Sequence, residues 1–221
     1  MSSLPSQAFH IARPVRDTPG RRRPLLLSEG SAEAARLSGA FLASAVAAEA
    51  RVMTPEGPRA AGKLRAGQHV LTESGPVRIL WTRRHPLPAE RIAEGPGLSP
   101  ILVAAHAFGG GAPRRPLRLS PRAGMVRRVG GRRMIVPAVA CLDLEGVGIA
   151  PVAAVTYVQI LLERHAVIFA GGVPLESLHP GARYGHRRDR TLRRQLLSDL
   201  AGAGRELKDY GPEILPRAMP R

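Results

Sequence analysis

The chain has 221 residues, 44% of them hydrophobic, which is enough for one domain with a core and tails. Its single cysteine, Cys141, excludes an intrachain disulfide, and no apolar run reaches the roughly 18 residues that a membrane-spanning helix needs. The 24 glycines and 21 prolines, with aromatics at only 4%, argue for a turn-rich β fold and against a helical bundle.

The formal charge is +16, and nearly all of it is arginine; Lys63 and Lys208 are the only lysines. Arg, Ala, Gly and Pro are abundant together, the mark of a biased coding composition that explains the charge without a partner. The rival reading is an anionic partner held through arginine, either nucleic acid or an acidic membrane surface. Base-stacking aromatics interleaved with the arginines would favour that rival, and they are scarce.

In chain order, residues 1–42 read as a poorly ordered arm. Pro5, Pro14, Pro19 and Pro24 break any period, Arg21-Arg22-Arg23 is a solvated charge run, and Ser31 is a candidate helix cap. Residues 45–84 read as three short strands. Turns at Thr54-Pro55-Glu56-Gly57, at Lys63 to Gly67 and at Glu73-Ser74-Gly75-Pro76 separate them, and Val77, Ile79 and Trp81 share one face of the third. His85-Pro86-Leu87-Pro88 ends that run, and 89–98 is a loop. Ser99 to Val103 is a strand, His106 to Gly111 a turn, and Leu117 to Pro121 a strand and turn. Gly130-Gly131 between apolar segments marks a hairpin, and Pro137 to Leu142 is a short turn or 3₁₀ segment carrying the buried Cys141.

Val155 to Leu162 is the strongest strand in the sequence. Ala166 to Ala170 follows as another and is closed by Gly171-Gly172, after which Val173 to Ser177 leaves the sheet. From His186 the pattern becomes helical, with Leu192, Leu196, Leu197 and Leu200 on one face and arginines opposite; Gly202 and Gly204 end it. The expected organisation is therefore an arm over 1–42, a β domain over 43–180 and a basic C-terminal helix and tail over 181–221.

The order Thr54-Pro55-Glu56-Gly57, Leu64-Arg65-Ala66-Gly67 and Val70-Leu71-Thr72 resembles the opening of the Hint module, shared by hedgehog C-terminal regions and inteins, in its bacterial stand-alone form. The resemblance continues through Pro100 to Val103, Pro113-Arg114-Arg115-Pro116-Leu117 and Ser120-Pro121-Arg122-Ala123. It resumes at Tyr157 to Leu162, Glu163-Arg164-His165, Ala170-Gly171-Gly172 and Glu176-Ser177, with a trace at Tyr210-Gly211-Pro212. The fold it implies is mostly β, a pseudo-two-fold Hint-like domain with a C-terminal helix.

The activity the resemblance implies is autoprocessing, in which a Cys or Ser side chain attacks the carbonyl before it and makes an ester or thioester. A histidine protonates the leaving nitrogen, and donors hold the tetrahedral oxygen. Counted back from Thr54, the nucleophile falls at Ala45, which has no heteroatom; Ser44 is one residue away and, in a strand, on the opposite face. The proton donor falls at Ala123, and the His-Asn pair that ends inteins falls at Glu176-Ser177. His165 matches the later family histidine, so Ser44 and His165 are the candidate catalytic residues.

The expectation is a degenerate autoprocessing domain whose role is binding or scaffolding to an unknown protein partner, with no cofactor and no metal. Its rivals are an active module cutting at Ser44 and the arginine-driven binder. The compartment reads as unknown, cytoplasmic or secreted without a recognisable N-terminal signal peptide.

Overall fold

A computed structural model describes residues 42–93, 96–181 and 200–218, with positions 194, 197 and 198. Residues 1–41, including the arginine run and Ser31, lie outside the described residues, as do Leu192 and Leu196.

The architecture is mostly β. Thirteen strands join in one hydrogen-bonded sheet system, and every pairing between strands is antiparallel. They are β1 (Val46–Ala47), β2 (Arg51–Thr54), β3 (Gly57–Ala60), β4 (His69–Thr72), β5 (Gly75–Leu87), β6 (Ile101–Val103) and β7 (Leu117–Leu119). The second half supplies β8 (Gly124–Val129), β9 (Arg132–Pro137), β10 (Val147–Ile149), β11 (Val155–Leu162), β12 (Val167–Ala170) and β13 (Val173–Glu176). Helical pieces with described bounds are α1 (Ala89–Ala93), α2 (Leu207–Tyr210) and single 3₁₀ turns, one of them over Ala138–Cys141; positions 194, 197, 198 and 200–202 are also helical.

The main path runs β10-β6-β7-β1-β11-β5-β4-β12-β13-β8-β9, with β2 attached to β12 and β3 to β2. β5 joins the two parts of this system. Its first residues pair with β4, and the rest pairs with β11 as far as Leu87 opposite Val155. The expectation that His85-Pro86-Leu87-Pro88 ends the run stops it short, since β5 continues to Leu87. Pro86 sits opposite Thr156 in the β5–β11 ladder, so the proline ends neither the strand nor the pairing.

Two hairpins repeat one device. Thr54 Oγ1 donates to the carbonyl of Gly57 at 2.7 Å, and Thr72 Oγ1 donates to that of Gly75 at 2.7 Å. Both glycines hold positive φ, 109° and 96°, which a side chain would resist. The Thr54 turn thus opens a strand, β3, that Pro58 had concealed in the sequence. β10 was likewise missed, being a three-residue edge strand with Ile149 half exposed. Gly130-Gly131 closes the β8–β9 hairpin as the pair suggested. Gly171-Gly172 closes another, and here the expectation that Val173 to Ser177 leaves the sheet fails: β13 folds back onto β12 along its whole length.

The main core gathers Val52, Leu64, Ile79, Leu119, Met125, Ile160 and Ile168 with their neighbours. Cys141 lies in it, and burial pushes its thiol pKa up to about 11. A second cluster joins Leu42, Ala45 and Ala47 to Leu87, Leu98, Val155 and Tyr157. Leu200 is buried on Leu161 and Tyr210, with Leu197 beside them, so the described part of the leucine stripe packs on the sheet.

Tyr157 is fully buried and its hydroxyl donates to the carbonyl of Leu98 at 2.9 Å. Tyr157→Phe leaves that carbonyl without this donor and should cost about 1–2 kcal/mol, read as a lower urea midpoint at unchanged slope.

Candidate functional site

Glu176 is the last residue of β13, and its carboxylate is wholly buried. An ionised carboxylate in that position demands partners on every side. Arg217 supplies two bonds, Nη1 to Oε1 at 2.9 Å and Nη2 to Oε2 at 2.5 Å. Ser44 Oγ donates to Oε1 at 2.9 Å, and His165 Nε2 lies 3.6 Å from Oε2. Burial pushes the Glu176 pKa up, but His165 and the Arg217 guanidinium together outweigh it and hold the pKa below its ordinary value. The backbone makes room as well: a Cβ on Gly124 would collide with the Glu176 carboxylate.

Ser44 owes its aim to a left-handed backbone, φ 51°, just before β1. Its amide donates to the carbonyl of Arg122 at 3.1 Å, which places it against the turn after Ser120. The neighbouring Ala45 points elsewhere, into the apolar cluster of Leu87, Leu98 and Tyr157. Of the two adjacent positions, Ser44 is the one that faces Glu176.

The carbonyl of Ala43, which precedes Ser44, accepts a hydrogen bond from Gln159 Nε2 at 2.8 Å. Gln159 is fully buried in β11, and its Oε1 meets His85 Nε2 at 2.9 Å. Burial lowers the His85 pKa. One residue further out, the Leu42 carbonyl accepts from Ser120 Oγ at 2.5 Å, and the Ser120 amide donates to the Ala45 carbonyl at 3.1 Å. The chain entering the domain is thus gripped at 42, 43, 44 and 45. Ala123 is buried beside this turn and offers only a methyl group.

His165 precedes β12 with its ring pinned on both edges. Ile214 N–H donates to Nδ1 at 3.0 Å, so Nε2 carries the proton and donates to the carbonyl of Ser177 at 3.1 Å. Ser177 in turn accepts the Ala166 amide on Oγ at 3.1 Å. His179 stands edge-on to His165 with ring centroids 4.9 Å apart, and burial is the main cause lowering its pKa.

Ser44 and His165 therefore reach the same carboxylate, while Ala45 stands apart from it. The sequence reading missed Glu176 as the centre, and with it Gln159, Gly124, His179 and Arg217. Gln159 carried a signal, being a polar residue inside Val155 to Leu162; so did Glu176, which closes an apolar strand. Arg217 carried none, lying among many arginines.

His69 and His106 are exposed. Among the described residues no group of three or more His, Cys, Asp or Glu is placed to hold a metal ion. No helix among them is long and apolar enough to cross a membrane. Several arginines serve the domain itself. Arg84 bonds the Gly62 and Leu64 carbonyls, Arg205 bonds that of Glu163, and Arg127 stacks on Phe108 at 4.4 Å.

The sequence model of the Hint domain family matches residues 44–182, well over half of the chain. The chain belongs to the Hint domain family. Solved structures similar to it include the MchDnaB-1 intein, at 18% identity and TM-score 0.36, covering 59% of this chain and 98% of that one. The Msm DnaB1 intein splicing domain bound with zinc is 17% identical, with TM-score 0.38 and coverage of 59% and 98%. The gp41-1 intein is 10% identical, with TM-score 0.37 and coverage of 61% and 98%. No curated protein matches.

Two outcomes follow from this geometry. Gly124→Ala drives a methyl into Glu176 and should cost about 2–3 kcal/mol in urea unfolding. Stability should also fall on acidification. Glu176 and His179 both have folded pKa values below their ordinary 4.5 and 6.5, so the unfolded chain binds protons more readily. Their contribution is complete above pH 6.5; that of His179 declines below 6.5 and that of Glu176 below 4.5. A urea midpoint that stays constant from pH 7 to pH 4 would contradict the assignment.

Proposed function

We propose that this Hint domain keeps the grip on the entering chain that autoprocessing needs and has lost the cleavage itself. The observation that carries the reading is the commitment of Glu176. Ser44, the hydroxyl that faces the site, donates to a carboxylate already ion-paired with Arg217 and held below its ordinary pKa. Such a carboxylate is a poor base, since the proton of Ser44 has little tendency to move to it. The leaving group fares no better. The Ser44 nitrogen would need a proton as its bond to Ala43 breaks, and Ala123 stands where the resemblance places the donor. The remaining role is binding or scaffolding by the intact domain.

Specific observations favour a second reading. The Ala43 carbonyl already has a buried donor, Gln159 Nε2, where an oxyanion would form, and Ser44 holds a strained φ at the junction. Under that reading Ser44 Oγ attacks the Ala43 carbonyl carbon and the C–N bond breaks. The nitrogen gains a proton, and an ester links Ala43 to Ser44.

Intact mass after expression and prolonged incubation with hydroxylamine separates the two. The expected result is one species at the full 23.6 kDa, in wild type and in Ser44→Ala alike. A fragment beginning at Ser44, present in wild type and absent from Ser44→Ala, would overturn the proposal in favour of the second reading.

A further inference from the structure

The C-terminal segment from Tyr210 to Ala218 lies on the domain in the manner of a bound peptide. It approaches along β9, which pairs only with β8 among the strands and forms one end of the main sheet path. Ile135 of β9 donates its amide to the Pro216 carbonyl at 2.8 Å and accepts the Ala218 amide at 2.8 Å, a parallel bridge centred on Arg217. This is a single-residue bridge on an open edge, the geometry from which strand addition starts. Further back along the segment, Ile214 N–H donates to His165, the Gly211 carbonyl accepts from His179 Nε2 at 3.0 Å, and Tyr210 Oη donates to the Leu178 carbonyl at 3.1 Å. Gly181 N–H occupies His179 Nδ1, which leaves Nε2 as the donor.

These contacts have a selective centre. Arg217 enters the pit over Glu176, where its guanidinium meets both carboxylate oxygens, and Glu213 steadies it through Nε at 2.5 Å. Glu176 has no exposure to water, so the pit requires a cation from whatever lies above it. A guanidinium fits both oxygens at once, as an ammonium does not. The segment's apolar burial is confined to Tyr210 on Leu161 and Leu200 and to Ala218 against the main core; Gly211, Pro212, Ile214 and Pro216 are exposed. It is held by directed polar contacts at fixed points, not by a large apolar face.

We infer that β9, the Glu176 pit and the His165–His179 pair form a recognition site for an extended, arginine-bearing peptide, occupied here by the chain's own tail. A peptide carrying Tyr and Arg at the spacing of Tyr210 and Arg217 competes for it. The inference stands apart from the fate of Ser44, since the site would hold a peptide whether or not the Ala43–Ser44 bond is ever cut.

The test uses the full chain and a labelled synthetic peptide of residues 208–221. In Arg217→Gln the tail loses its anchor and the site is open more of the time, so the peptide should bind that chain about tenfold or more tighter than wild type. The same peptide bearing Arg217→Gln should lose that binding. Equal binding of the peptide to both chains, or equal binding of both peptides, would overturn the inference. Amide exchange in the wild-type chain gives a readout that survives failure of the variant to fold. The Ile214 and Ala218 amides should exchange more slowly than in the free peptide, and exchange at the free-peptide rate would equally overturn it.

Discussion

A buried carboxylate cannot stand alone, and the arrangement of this domain around residues 44, 124, 165 and 217 follows from that constraint. Glu176 sits without solvent at the end of β13, and four separate stretches of chain converge to make it tolerable. Ser44 brings the N-terminal entry, Gly124 gives up its side chain, His165 presents Nε2, and Arg217 brings the tail. Only His165, just before the adjoining hairpin strand, is near Glu176 in sequence; the other three lie 41 or more residues away. The carboxylate is thus a point where distant parts of the fold are compelled to agree, because misplacing any one of them leaves charge unpaired in an apolar interior.

The same constraint bears on chemistry. An acyl shift at a serine needs a free base, an oxyanion donor and an acid for the leaving nitrogen. In this domain Gln159 donates to the Ala43 carbonyl, and Ser120 and Arg122 hold the entering backbone. The group nearest the serine hydroxyl, the Glu176 carboxylate, is half of an ion pair with Arg217. What serves stability here works against reactivity, since a carboxylate stabilised by a guanidinium has less to gain from taking a proton.

Much of the fold was legible in the sequence because local chemistry announces itself. Thr54 to Gly57, Gly130-Gly131 and Gly171-Gly172 marked turns that the structure contains, and the alternation at Gln68 to Thr72 and the apolar run Val155 to Leu162 marked strands. The failures have physical causes. Pro86 was read as ending its strand, yet it sits within the β5–β11 ladder opposite Thr156, and Pro58 likewise sits within β3 opposite Met53. β13 was read as leaving the sheet because Pro174 and Glu176 look polar or irregular, whereas Glu176 faces inward to an arginine 41 residues away. The choice between Ser44 and Ala45 rested on strand alternation, and the structure resolves which of them faces the carboxylate through one left-handed residue that no local signal marks. Long-range pairing of charges is what sequence pattern reports least well.

β5 gives the domain a further property. Because this one strand completes the ladder of β4 at its start and of β11 over the rest, neither part of the sheet owns its full complement of hydrogen bonds. Parting the molecule into halves would strip an edge from both, so a backbone nick in an outlying loop is survivable only while the pieces stay clasped through that strand. Among the described residues, β5 is a strap that both halves of the sheet must share.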